Sequence, residues 1–191
     1  DNAAALARAK SVAEAARLQT EFMQKQFAAA GAQAKELFEL STRITNETLS
    51  NVGAAATKAF AGWRKVAPRE RGKILLKIAE AIQARVEELA RTISLETGNA
   101  LRTQARGEAN LTADIFRYFG GLASELKGET LPLGEHVLSY TRREPIGVVG
   151  AVIPWNAPVM LGALKIAPAL CAGNTMVMKA AEDAPLGVML M

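Results

Sequence analysis

Two short apolar runs, separated by a stretch with helical spacing, constrain the fold of this chain more than any other feature. The runs occupy residues 147–153 and 175–178, and the stretch between them, 157–172, has no strand-like alternation. Two strands joined by one helix over so short a span must be parallel, with a right-handed crossover. We therefore predict a βαβ unit and an α/β fold for this part of the chain.

Polar and aromatic residues follow both predicted strands. Trp155 and Asn156 come after the first strand, and Lys179 and Glu182 come at the end of the second. In open α/β sheets, ligands bind in the crevice outside the carboxyl ends of the strands. We therefore expect these four residues to lie along one crevice.

Several motifs occur in a fixed order from residue 58 to the end of the chain. They are Glu-Thr-Gly at 96–98, Gly-Glu-Thr at 128–130, Arg-Glu-Pro-Ile-Gly at 143–147, Ile-Pro-Trp-Asn at 153–156 and Ala-Gly-Asn-Thr at 172–175. Together they resemble the amino-terminal region of the aldehyde dehydrogenase superfamily. The resemblance implies that residues 58–191 form an incomplete, Rossmann-like NAD(P)-binding domain of an enzyme that oxidises an aldehyde to a carboxylic acid. It also implies that the nucleophilic cysteine and the general-base glutamate lie beyond Met191, so this polypeptide alone is expected to be inactive.

Asn156 has two interpretations. Its position before Ala-Pro and a helical pattern favours a helix N-cap, since Asn is among the preferred capping residues. The resemblance implies instead that its side-chain NH₂ donates to the oxyanion of the reacting aldehyde, a role typically worth about 3 kcal/mol.

Lys179 and Glu182 also have two interpretations. From the pattern alone they belong to a solvated, charged loop at the end of a buried strand. The resemblance implies that they hold the adenosine ribose of the cofactor, with Ile153, Pro154 and Trp155 lining the same cleft. A carboxylate at this position would repel a 2′-phosphate, so NAD is the expected cofactor, and NADP remains possible.

Residues 4–58 contain no proline and consist mainly of good helix formers. Small and apolar residues recur there at spacings of three or four, which predicts a long helix or a coiled-coil seam. Residues 9–27 resemble the phasins, helical proteins that coat polyhydroxyalkanoate granules. We therefore predict a phasin-like helical segment over 1–57 fused to the 58–191 portion. A coiled-coil extension without special function, and a granule-binding protein as the function of the chain, remain as alternatives.

The intervening sequence predicts two helices and a strand. Apolar spacing indicates one amphipathic helix from Pro68 to about Gly98. A second is expected over 104–126, with Leu111, Ile115, Phe119 and Leu122 facing inward. Gly128, Pro132 and Gly134 are expected in turns. Residues 137–142 alternate like an exposed strand, and the resemblance implies an arm that pairs subunits in a homo-oligomer.

Composition excludes other classes. The net charge is +4 and the charged residues are scattered along the chain, which argues against nucleic-acid binding. Residues 145–164 are uncharged, but their prolines and Asn156 argue against a membrane span. Cys171 is the only cysteine, so no intramolecular disulfide is expected, and a cytoplasmic location fits. Cys171 and His136 cannot form a metal site, and we interpret Cys171 as a buried structural residue.

Overall fold

The computed structural model describes residues 11–191 and divides the chain into two compact units. One unit ends at Asn51, and the other comprises Val52–Met191. The first helix, α1, extends from Val12 to Trp63. It confirms the prediction of a long helix over the described residues, while the predicted positions before residue 11 lie outside them.

Three further helices follow α1. They are α2 (Pro68–Ala84), α3 (Val86–Thr97) and α4 (Arg106–Leu122). A π-helical turn, Leu101–Ala105, precedes α4, and a 3₁₀ turn, Ala123–Glu125, follows it.

The predicted single helix over 68–98 is in fact two helices. Arg85, at φ −115° and ψ 17°, leaves the helical conformation and separates α2 from α3. The apolar spacing continues across this break, and for that reason the sequence pattern alone does not reveal it. Gly98 ends α3 with a φ of +77°, a left-handed conformation that glycine adopts without a Cβ penalty, as expected.

The inward face of α4 differs from the predicted one. Leu111 is 46% exposed, whereas Ala109, Ala113 and Phe116 are buried together with Ile115. Helices α2 and α4 pack most closely near the end of α4, where a Cβ at Gly72 would lie 2.5 Å from the carbonyl oxygen of Gly120.

The predicted βαβ unit is confirmed. Strand β3 (Val148–Val152), helix α5 (Pro158–Cys171) and strand β4 (Thr175–Lys179) form it, and a short helix α6 (Leu186–Leu190) follows. The strands are parallel, with Val148 opposite Thr175 and Val152 opposite Lys179. One face of α5 packs into the main apolar core with α2, α3 and α4.

The remaining strands form a small antiparallel sheet. Strand β1 (Thr130–Pro132) pairs with β2 (Leu138–Tyr140). Pro132 therefore ends a strand instead of lying in a turn, and the predicted strand over 137–142 is shorter than expected. Within residues 11–191, no helix has the length and apolar character needed to cross a membrane.

Candidate functional site

The carboxyl ends of β3 and β4 bring the two predicted loops together. The backbone N–H of Ile153 donates to the carbonyl of Lys179 at 3.0 Å, extending the parallel ladder by one bond beyond Val152. The loop at 154–157 therefore begins directly beside the loop that starts at Lys179. The structure therefore brings the two loops to the same end of the sheet, as the strand pattern predicts.

Lys179 and Glu182 form an ion pair on this edge. The Lys179 ammonium donates to Glu182 Oε1, and both residues are exposed. The hydrogen bond from Lys179 lowers the pKa of the Glu182 carboxyl below its ordinary value. Glu182 is thus a carboxylate at neutral pH, a form that only accepts hydrogen bonds.

The three residues that precede Asn156 differ in exposure. The Ile153 side chain is only 1% exposed and packs with Ala151 and Val188. Pro154 is exposed, and Trp155 is 57% exposed. The side chains of Pro154 and Trp155 are therefore available to a ligand. The buried Ile153 side chain anchors their loop to the sheet.

Asn156 does not cap α5, so the N-cap interpretation is wrong. Ala157 occupies the N-cap position, and no side chain of its own segment caps the helix. The N–H groups of Val159 and Met160 donate instead to Oε1 of Glu108 in α4, at 3.0 and 3.2 Å. Asn99 Nδ2 holds the Asn156 carbonyl at 3.1 Å. The exposed Asn156 amide is therefore left free for another partner.

A second carboxylate caps α6 in the same way. Glu96 accepts from the backbone N–H of Leu186 at 2.7 Å and of Gly187 at 2.9 Å.

Burial raises the pKa of Glu108 above its ordinary value. Its two N–H donors oppose this increase, and the charge of Glu96 adds to it. Glu96 belongs to the Glu-Thr-Gly motif, whereas nothing in the sequence around Glu108 distinguishes it from a surface glutamate.

Arg71 stabilises the opposite end of α5. Its buried guanidinium donates from Nε to the Cys171 carbonyl at 3.0 Å and from Nη1 to the Val66 carbonyl at 2.7 Å. The carbonyls at a helix C-terminus lack partners within the helix, and a cation there also complements the macrodipole. Arg71 therefore ties the crossover helix to the start of α2.

Cys171 has the environment of a structural residue. Its thiol is free and 2% exposed, and burial raises its pKa above the ordinary value, although the charge of Arg71 opposes the shift. A protonated, buried thiol is a poor nucleophile. Within residues 11–191, no three His, Cys, Asp or Glu side chains are placed to hold a metal ion.

Sequence comparison relates the chain to known enzymes. A family model described as the aldehyde dehydrogenase family matches residues 20–191, starting inside the segment that resembles phasins. An aldehyde dehydrogenase from Aspergillus niger is 43% identical over 143 residues, covering 74% of this chain and 29% of the relative. An acetaldehyde dehydrogenase from Pseudomonas aeruginosa is 41% identical over 146 residues, covering 76% and 29%.

Solved structures have the same fold. PnpE in complex with nicotinamide adenine dinucleotide has a TM-score of 0.69 at 45% identity, covering 72% of this chain and 28% of that chain. An NAD-dependent aldehyde dehydrogenase from Sinorhizobium meliloti has a TM-score of 0.73 at 37% identity, covering 75% and 29%. This chain thus spans less than a third of the length of these relatives. Because the family model matches most of its residues, the chain belongs to the aldehyde dehydrogenase family.

Proposed function

We propose that the carboxyl edge of the β3–β4 sheet holds the adenosine ribose of a nicotinamide dinucleotide, in a protein that oxidises an aldehyde to a carboxylic acid. The observation that carries the proposal is the exposed Lys179–Glu182 pair beside the loop of Trp155 and Asn156. The enzymes reported above, with an NAD complex and an NAD-dependent member among them, support the same activity.

Glu182 gives this edge its expected selectivity. A carboxylate accepts hydrogen bonds from the 2′- and 3′-hydroxyls of a ribose, whereas a 2′-phosphate would bring a second anion against it. Lys179 holds the carboxylate and offers its remaining N–H groups to the sugar. The preferred cofactor is therefore NAD, with NADP as a weaker ligand. When bound, the cofactor supplies the hydride acceptor.

Asn156 would serve the reacting end of the substrate. Its side-chain NH₂ is uninvolved in capping, and Asn99 holds its backbone carbonyl. A donor that is fixed before reaction stabilises developing negative charge without reorganisation. In the whole enzyme we expect this amide to face the aldehyde oxygen.

An NMR titration tests the ribose site directly. Adenosine, which is uncharged, should shift the amide signals of Trp155, Asn156 and residues 179–183 in the labelled 191-residue chain. Glu182→Gln should weaken binding on the order of tenfold, because hydrogen bonds to charged groups are typically worth about 1.5–3 kcal/mol. Asp183→Asn, which changes the adjacent exposed carboxylate, is the matched control. Shifts at other residues only, or equal weakening by both variants, would remove the ribose from this edge.

We further propose that β1 and β2 form an arm that pairs subunits in a homo-oligomer. Leu133, Val137, Leu138 and Tyr140 are each more than half exposed on or beside this small sheet. Apolar surface of this kind marks an interaction site. Leu138→Asp should lower the association state measured by sedimentation, and an unchanged state would argue against the arm.

The granule-binding alternative rests on a separate observation. Phe27 and Phe38 are 71% and 73% exposed in α1, with Met23 exposed one turn before Phe27. An amphipathic helix binds a lipid-like interface through such side chains. Replacing both phenylalanines with serine should abolish co-sedimentation with polyhydroxyalkanoate particles, and sedimentation independent of the two residues would exclude this role.

We also infer a reducing, cytoplasmic location from the single free cysteine, which is buried and unpaired by any second thiol in the chain. Subcellular fractionation with an antibody to the chain would test the location, and recovery outside the cytoplasmic fraction would contradict it.

A further inference from the structure

A cleft of about 500 Å³ lies where the segment after α1, the start of α2 and the segment before β3 meet. Its apolar wall contains Val66, Leu126 and Ile146, and the start of α2 forms its floor beside the buried Arg71. Pockets that bind small molecules typically measure about 300–1,000 Å³ and combine apolar walls with a few polar groups. The cleft has both the size and the composition of a ligand site.

The charges around this cleft are strongly unbalanced. Arg64, Lys65, Arg142 and Arg143 line it together with Arg71, and Glu144 is the one acidic residue in the lining. Glu144 is paired with Arg142 at 2.8 Å. In residues 11–191, no carboxylate lies within ion-pair distance of Arg64, Lys65 or Arg143.

The floor of the cleft adds positive potential from two sources. Arg71 is only 6% exposed, burial lowers the pKa of its guanidinium, and no carboxylate within residues 11–191 lies at ion-pair distance from it. Helix α2 also begins at the cleft, where its N-cap residue Ala67 provides no side-chain cap and Glu70, in the first turn, is paired with Lys73. Both features favour an anion at this position.

The cleft is separate from the proposed ribose site. Ile146 and Asn174 lie just before β3 and β4, whereas Trp155 and Lys179 lie after β3 and at the end of β4. Five residues of extended chain span roughly 16 Å. The two sites therefore lie at opposite ends of the same pair of strands.

We propose that this basic cleft binds an organic phosphate, with the phosphate group held by Arg64, Lys65 and Arg143 and the organic part packed on Leu126 and Ile146. Guanidinium groups bind phosphate through paired, charge-assisted hydrogen bonds. These three cations, which have no carboxylate partner within residues 11–191, match a dianionic phosphate better than a monoanionic carboxylate. The apolar wall provides the surface for the remainder of such a molecule.

Calorimetric titration of the 191-residue chain with phenyl phosphate at low salt tests the proposal. Saturable 1:1 binding in the millimolar range or tighter is expected. Phenyl phosphate should bind more tightly than inorganic phosphate, which lacks the apolar part, and more tightly than benzoate, which carries one charge. Binding should weaken as salt rises.

Matched variants locate the site. Arg64→Gln with Arg143→Gln should weaken phenyl phosphate binding by about tenfold or more. Arg91→Gln with Arg102→Gln removes the same charge at exposed positions outside the cleft and should leave the affinity unchanged. Glu182→Gln should leave the affinity for phenyl phosphate unchanged, because Glu182 lies in the ribose site and not in this cleft. Absence of binding, benzoate binding as tightly as phenyl phosphate, or equal weakening by the two arginine pairs would overturn the proposal.

Discussion

The helical layer and the carboxyl edge of the β3–β4 sheet differ in how much apolar surface they bury and in how their polar groups are paired. The layer of α2, α3, α4 and α5 buries a continuous apolar cluster around Leu75, Ile93, Phe116 and Val159. The sheet buries only the small cluster around Ala151, Ile153 and Val188, and Val152 on β3 is 71% exposed. The polar groups follow the same division. Glu96, Glu108 and Arg71 satisfy backbone groups at helix ends, whereas Asn156 and Glu182 remain open to solvent.

This difference separates stability from binding. Side chains in the helical layer already have their partners inside the chain, so changing them should affect the free energy of unfolding. Side chains at the carboxyl edge are exposed to solvent, so changing them should alter ligand affinity and leave the free energy of unfolding nearly unchanged. The predictions below test that separation.

The largest effect is expected from Phe116→Ala. Phe116 is 1% exposed in the centre of the helical cluster, and truncating a buried Phe typically costs about 3–5 kcal/mol. Val152→Ala, on the exposed strand, should change stability by only about 0.5 kcal/mol. Urea unfolding followed by tryptophan fluorescence measures both, since Trp63 and Trp155 lie in the Val52–Met191 unit. Similar losses for the two variants would mean that the sheet is as well packed as the helical layer.

The next effect is expected at Glu108. Glu108→Ala leaves the N–H groups of Val159 and Met160 without their acceptor and should cost about 1–3 kcal/mol. Glu108→Gln should cost much less, because both N–H groups donate to the one oxygen Oε1, which a neutral amide also provides.

The same residue should give an unusual pH dependence. Its pKa is raised in the folded chain, so the folded state binds more protons between the ordinary and the raised pKa. Stability therefore falls as pH rises through that interval. Relative to Glu108→Gln, the wild-type chain should gain stability as the pH is lowered from neutral towards the ordinary range of a carboxyl. A difference between the two chains that is independent of pH would contradict the raised pKa.

Sequence reasoning predicted the sheet better than the helix ends. Parallel pairing of 147–153 with 175–178 followed from apolar runs and chain length, which are local signals. The break at Arg85, the outward Leu111 and the capping of α5 by Glu108 all depend on contacts between segments distant in sequence. The N-cap, one of the two interpretations of Asn156, follows from local preference, but a carboxylate from another helix has that role instead.

The smallest effect is expected at Cys171. Cys171→Ala removes one buried sulfur and should lower the free energy of unfolding only modestly, because the site can keep its packing with a small residue.

The 191-residue chain should show no aldehyde-dependent reduction of NAD, since its one thiol is buried with a raised pKa. A thiol reagent should modify the native chain far more slowly than the unfolded chain. Turnover that Cys171→Ser abolishes would show that this interpretation of Cys171 is wrong.

The ratio of NAD to NADP affinity tests the central claim most directly. It should be measured by calorimetry on the intact enzyme that contains this chain, with Glu182→Gln and the matched Asp183→Asn. We predict that the wild-type enzyme prefers NAD, and that Glu182→Gln reduces this preference on the order of tenfold by weakening NAD and relieving repulsion of the 2′-phosphate. Asp183→Asn should leave the ratio unchanged. An equal ratio in the wild-type and Glu182→Gln enzymes would contradict the assignment of the adenosine ribose to the Lys179–Glu182 edge.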